Sequence, residues 1–338
     1  GIDPVDPLSF REGDMKHSKL FECHADELRF LPGQDKAQAV FHSLEARKSH
    51  APILLPGISL PQALSAVLLE IVEQMWVNAA LFVLFETPDA LHQVRVSLRR
   101  LESFWVLTKH LPLSGDLLQK ILELERLSRR FRANLAPARE WEIFFQSIVP
   151  KIKKRILLSE DQHDLCLLSR TRQKRSAQKA GKLLDSKPFM KMILETRMLA
   201  EGFSKLGENE SLESFRARAL LVLGRDVHSR SCAERSRKGA HRLRIALKTF
   251  RYVSEFFPEN KRDHPDSPDI DMLHEALERL GRLNDYYSLR MRFWKLRKKE
   301  GSQNGRRIIG RLIIWLRRKE KKILASIRRL DLSSICVF

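Results

Sequence analysis

From about Leu60 onward, apolar residues return with a period near 3.6 along nearly the whole of this 338-residue chain, the spacing that gathers them on one face of an α-helix. The period breaks at Thr87-Pro88, Leu113-Ser114-Gly115, Lys187-Pro188, Gly207, Pro258 and Gly301 to Gly305, residues that end or start helices. Thr87 followed by Pro88 reads as an N-cap and a first-turn proline, so one helix is expected to begin there and run to about His110. The fold class that follows is all-α. Only residues 19–32, closed by Pro32-Gly33, hint at a short hairpin. The opening GIDPVDPLSF, ahead of Met15, reads as an expression remnant or a leader, which sets residues 1–14 aside from the fold and leaves 15–58 an N-terminal segment without a clear pattern.

Charge narrows the class of partner. The chain has 62 Lys plus Arg against 42 Asp plus Glu, a formal +20, which points to an anionic partner, with nucleic acid, anionic lipid and polyphosphate all qualifying. Cys23, Cys166, Cys232 and Cys336 stand far apart with no C-x-x-C pair, so neither a disulfide framework nor a zinc ribbon is expected. No secretory signal is found and the apolar stretches read as too short, or too interrupted by charge, to span a bilayer, which makes the cytoplasm the default location. There is no Walker loop, G-x-S-x-G elbow or H-E-x-x-H pair. The one enzyme-like signal is His163-Asp164, a dipeptide used by some metal-dependent phosphohydrolases, and alone it supplies too few ligands for a metal. No catalytic residue, metal or cofactor is therefore expected.

An internal repeat locates the charge. His92-Gln-Val-Arg-Val-Ser-Leu-Arg-Arg-Leu-Glu aligns with His241-Arg-Leu-Arg-Ile-Ala-Leu-Lys-Thr-Phe-Arg at an offset of 149 residues (241 − 92), matching His92 with His241, Arg95 with Arg244 and Arg99 with Lys248. A second landmark follows each copy in the same order, Leu135 to Ile143 and Leu280 to Ser288, as a duplicated helical unit requires. At about 100° per residue, His92, Arg95 and Arg99 fall in a stripe roughly 60° wide. Leu91, Val94, Leu98, Leu101 and Trp105 form an apolar stripe about 120° away that should enter the core. In the second copy His241, Arg244, Lys248 and Arg251 share a side with Tyr252 at its edge, and Leu243, Leu247 and Phe250 take the other. The same spacing recurs at Arg172, Arg175 and Lys179, and more loosely at Arg311, Arg318 and Lys322. A single charged stripe is usually a solvated face; four of them favour an anion-binding surface.

These paired motifs resemble the CHAD family, the conserved-histidine α-helical domains, over about Leu60 to Leu330. The segment from Leu135 to Ile143 is similar to that family's L-G-x-x-R-D-x-D-V landmark, and Leu280-Gly-Arg-Leu-Asn-Asp285 to its second-half counterpart. The resemblance implies two pseudo-symmetric four-helix bundles, here 59–205 and 206–338, with a basic groove between them that binds inorganic polyphosphate. It assigns to the ligand His92, Arg95, Arg99 and Arg100 in the first motif, His241, Arg244, Lys248, Arg251 and Tyr252 in the second, and Arg139 and Asn284 in the later landmarks. The chain departs from the family at Ala136, Glu140 and Glu142, where Gly, Asp and Asp are preferred, and at Glu102, which would repel a polyanion if it faced the groove. It also lacks the E-x-E-x-K signature of the triphosphate-processing domain that often accompanies the family, so it resembles stand-alone members.

A linear polyphosphate needs charge neutralisation and no base reading, which a mixed Arg/Lys ladder provides. A bound polyanion should also draw protons onto His92 and His241, tightening binding as pH falls from 8 toward 6. Nucleic acid is the rival ligand, with Phe104, Trp105, Tyr252, Tyr286, Trp294 and Trp315 as candidate stacking surfaces, although most sit at core phase. An acidic protein segment would suit the same stripes. The last helix, from Arg306 to Leu330, reads either as a membrane-surface element or as the final bundle helix, with Ile308, Ile309, Leu312, Ile313, Trp315 and Leu316 on its apolar side.

Overall fold

The computed structural model describes residues 45–153, 159–204, 206–207, 210–232, 236–258 and 270–330. The hairpin expected at 19–32 and the leader at 1–14 lie outside them. Among the described residues all regular structure is helical. Helix α1 is Leu60–Phe85, α2 Pro88–Thr108 and α3 Gly115–Ile143; α3 runs through a π-helical turn at Phe144–Ile148 into the short α4, Val149–Lys153. Then come α5 Ser159–Leu184, α6 Lys187–Phe203, α7 Leu212–Cys232, α8 Arg237–Phe256, α9 Ile270–Arg297 and α10 Gln303–Ile327. The expected breaks fall between these helices. The expected Thr87-Pro88 start is where α2 begins, although the Thr87 hydroxyl makes no cap bond.

Helix α1 is the central rod. Ser59 and Gln62 cap its start reciprocally, the Gln62 amide donating to Ser59 Oγ at 3.4 Å and the Ser59 amide to Gln62 Oε1 at 3.3 Å. It ends where Glu86 takes a left-handed conformation with φ 50°. Contrary to the reading that no stretch could span a bilayer, α1 is long and apolar enough to do so, but 78% of its most apolar window is buried inside the protein, against α2 and α6 above all. Its apolar surface is already used.

The apolar stripe expected on α2 is buried throughout, from Leu91 to Trp105, and so are Leu243, Leu247 and Phe250 on α8. They join one large core with α1, α3, α6, α7 and the first half of α9. A second core gathers Trp141, Phe144 and Phe293, whose ring centroids lie 4.8 to 5.8 Å apart in edge-on pairs, together with Leu289 and Leu296 of α9 and Ile308, Ile309, Leu312 and Leu316 of α10. Helix α10 thus packs on α9 as the last helix of the bundle.

The described part of the N-terminal segment, from residue 45, is tied down by charge. Arg47 pairs with Glu70 at 2.7 Å and with Glu73 at 2.5 Å, and its carbonyl accepts from Asn78 Nδ2 at 2.9 Å. Arg100 is the second anchor. Only 1% exposed, it donates to Gln74 Oε1 at 2.8 Å and to the His50 carbonyl at 2.9 Å, and it lies 5.6 Å from the centroid of the Phe256 ring.

Candidate functional site

Helix α2 packs on both α3 and α8, and α9 packs on both α8 and α3, so the two motif helices and the two landmark helices meet in one junction. The phase that buries the leucines of α2 and α8 turns His92, Arg95 and Arg99 toward Arg244 and Lys248, and neither set reaches open solvent fully. His92 feels Arg139 and Lys248, Arg99 feels Arg244, and Arg95 feels Asp285, all pairs that bridge different helices.

The electrostatics are those of cations held together without enough anions. Burial, then Arg244, Arg99 and Arg251, pushes Lys248 down to about 6. Burial and Arg132 first, with further cations behind them, lower Arg95 and Arg99 to about 10. Burial, with Arg139, Lys248 and Arg95, lowers His92 to about 4, leaving it neutral. His241 is also lowered, chiefly by burial, although its Nδ1 sits 3.2 Å from Asn284 Oδ1. The acid in the midst of these cations, Asp285, is itself raised by burial, and Arg244, Arg139 and Lys248 only partly offset that. Among the described residues Arg99, Arg244 and Lys248 make no ion pair, and Arg244 Nε is buried without a hydrogen-bond partner. Arg95 donates to a carbonyl, that of Arg132, at 2.7 Å.

Other expected ligand residues are placed differently. Arg100 points into the core, because it lies one residue and therefore about 100° round the helix from Arg99. Tyr252 is 1% exposed and belongs to the large core, close to Arg99 and Arg244. Arg139 lies at the junction but pairs with Glu142, and Arg251 pairs with Glu255 at 3.1 Å. The α5 stripe stands apart. Arg175 and Lys179 are exposed there, while Arg172 enters a separate pocket. On α10, Arg311 joins Arg307 in holding Asp161, itself 1% exposed, at 3.0 and 2.8 Å, while Arg318 and Lys322 are solvated. Of the four stripes, the junction therefore unites two.

Three groups escaped the sequence reading. Arg132 of α3 neutralises Glu102 at 2.5 Å, which answers the concern that Glu102 would repel a polyanion. Its seven-residue spacing from Arg139 was the available signal. Glu140 is likewise held by Arg292 from α9. Asp285, next to Asn284, is the third. Among the described residues no group of His, Cys, Asp and Glu could hold a metal ion; Asp164 accepts from Asn304 Nδ2 at 3.0 Å on the surface, and His163 beside it is exposed.

The fold and junction define an all-helical protein that concentrates positive charge where two pairs of helices cross. The chain belongs to the CHAD family, whose domain profile matches residues 66–293. Its fold is similar to the crystal structure of the CHAD domain from the plant Ricinus communis, at 22% identity and a TM-score of 0.70, covering 86% of this chain and 95% of that one. It is also similar to PptA from Streptomyces chartreusis, at 14% identity and a TM-score of 0.59, covering 81% and 99%. No curated protein matches the chain.

Proposed function

We propose that this protein binds inorganic polyphosphate without catalysing a reaction on it, along Arg95, Arg99, Arg244 and Lys248. The observation that carries the reading is the uncompensated junction: basic groups from α2 and α8 are close enough to depress one another, Arg99 and Arg244 have no ion-pair partner among the described residues, and Lys248 is pushed down to about 6 beside them. A linear polyanion supplies the missing counter-charge, and many closely spaced phosphates match a ladder better than a single anion does. The two ladders are read as copies of one unit lining a shared groove. In a cytoplasmic setting, such a protein would collect on polyphosphate granules.

The aromatic residues favour this reading over RNA. Stacking needs an exposed ring face, yet Phe104, Trp105, Tyr252 and Tyr286 are buried, and Trp294, 45% exposed, already carries Lys298 at 3.8 Å from its centroid. The test is a set of binding isotherms for long-chain polyphosphate, RNA and heparin at two salt concentrations, for the wild type and for Arg95→Ala/Arg244→Ala. Polyphosphate should bind the wild type in preference to RNA and lose affinity in the double variant. Unchanged affinity in that variant would put the ligand elsewhere.

A further inference from the structure

The α8 ladder does not stop at His241. Four residues earlier, in the first turn of α8, Arg237 falls on the same face as His241 and Arg244, at helical spacings of four and three. It also acts on the site electrically, being among the cations that lower His241. Across from it stands α9. There Asn284 meets His241 at 3.2 Å, and Tyr287, three residues on and so on the same face, meets Arg237, whose guanidinium carbon lies 3.7 Å from the ring centroid.

That stacked contact fixes the guanidinium and leaves its hydrogen-bonding edge open. A guanidinium on a ring uses its flat face, whereas its five N–H donors lie in its plane and point outward around the rim. Arg237 is exposed and makes no ion pair among the described residues. Arg290, 5.3 Å from the centroid of the same ring, is by contrast engaged by Glu320 at 2.5 and 3.2 Å. We infer that Arg237 is a further anion-binding residue of the junction, with Tyr287 as the positioning residue that holds it, and that it takes the part of a polyphosphate chain running out past His241. The inference rests on the polyphosphate reading of the junction and adds a length requirement to it. Arg237 and Lys248 are 11 residues apart (248 − 237), about 17 Å along the helix axis. A long chain reaches both ends of this ladder, and a tripolyphosphate seated on Arg244 and Lys248 does not.

The experiment titrates long-chain polyphosphate and, separately, tripolyphosphate by calorimetry at several salt concentrations. The proteins are the wild type, Arg237→Ala, Tyr287→Phe, Tyr287→Leu and Arg95→Ala/Arg244→Ala, with thermal melts to show that each is folded. Arg237→Ala should bind the long chain about fivefold more weakly, with a log–log salt slope smaller in magnitude by about 0.7, and should bind tripolyphosphate as the wild type does. Tyr287→Leu should reproduce that loss, and Tyr287→Phe, which keeps the ring face, should bind like the wild type. The inference is overturned by any of three results: unchanged long-chain affinity in Arg237→Ala, equal losses for the two ligands in that variant, or Tyr287→Phe losing as much as Tyr287→Leu. Arg95→Ala/Arg244→Ala tells this failure from that of the junction reading: it should weaken both ligands, and if it weakens neither, the junction reading falls and this one with it.

Discussion

If polyphosphate binds along the ladder as proposed, Lys248 makes that binding a proton-uptake reaction. In the free protein its pKa is pushed down to about 6 by burial and by Arg244, Arg99 and Arg251, with Asp285 opposing, so at pH 7 about nine in ten molecules carry a neutral amine there. A bound polyanion restores an anionic environment and returns the amine toward the ordinary lysine range near 10. The free pKa lies below the bound one, so binding takes up a proton between the two values and weakens as pH rises through that window. With 6 free and about 10 bound, affinity should fall roughly 50-fold from pH 6 to pH 8, about 2.3 kcal/mol. His92, already neutral near pH 7 with a pKa of about 4, contributes little in this range unless its pKa rises by three units on binding. The pH sensitivity expected of His92 therefore moves mainly to the lysine. Calorimetry in two buffers of different ionisation enthalpy should count about 0.9 proton taken up per site at pH 7. Lys248→Arg, which stays charged, should flatten the pH profile while retaining affinity. Proton uptake near zero at pH 7 in the wild type, with affinity flat from pH 6 to 8, would refute the reasoning.

The same depressed lysine costs stability in the unliganded protein: the unfolded chain holds more protons between pH 6 and 10, so the apo melting temperature should climb with pH across that range, and Lys248→Met should raise it at pH 7, as read by calorimetric melts. If four ladder cations meet phosphate, the log–log salt dependence of polyphosphate affinity should have a slope of about −3, falling by about 1.4 in magnitude in Arg95→Ala/Arg244→Ala; isotherms at several salt concentrations give both. Arg100→Ala should cost ~2–4 kcal/mol in a urea melt, because Gln74 and the His50 carbonyl lose their buried donor, while leaving polyphosphate affinity at a stabilising temperature unchanged.

Helical phase made much of this molecule legible. The leucine stripes of α2 and α8 mark their buried faces, and the ladders opposite them follow from the same 100° step. What phase does not carry is depth. Arg99 and Arg100 are neighbours of identical chemistry, and the sequence around them does not say that Arg100 is the one that turns inward to Gln74 of α1. Nor does it carry partner choice across the bundle: Arg132 with Glu102, Arg292 with Glu140, and Arg307 and Arg311 with Asp161 join residues from 30 to 152 positions apart. The π-helical turn after Ile143 has no local signature beyond the nearby Pro150.

Helix α9 runs unbroken from one apolar core to the other, with Leu273 to Leu283 in the first, Leu289 to Leu296 in the second, and Asn284 and Asp285 at the crossing point. A rod anchored at both ends behaves as a lever. Melting of the smaller core would release the outer turns of α9 and loosen the crossing point at which Asn284 meets His241. The proposed anion site would then depend on the local stability of a core that lies outside it.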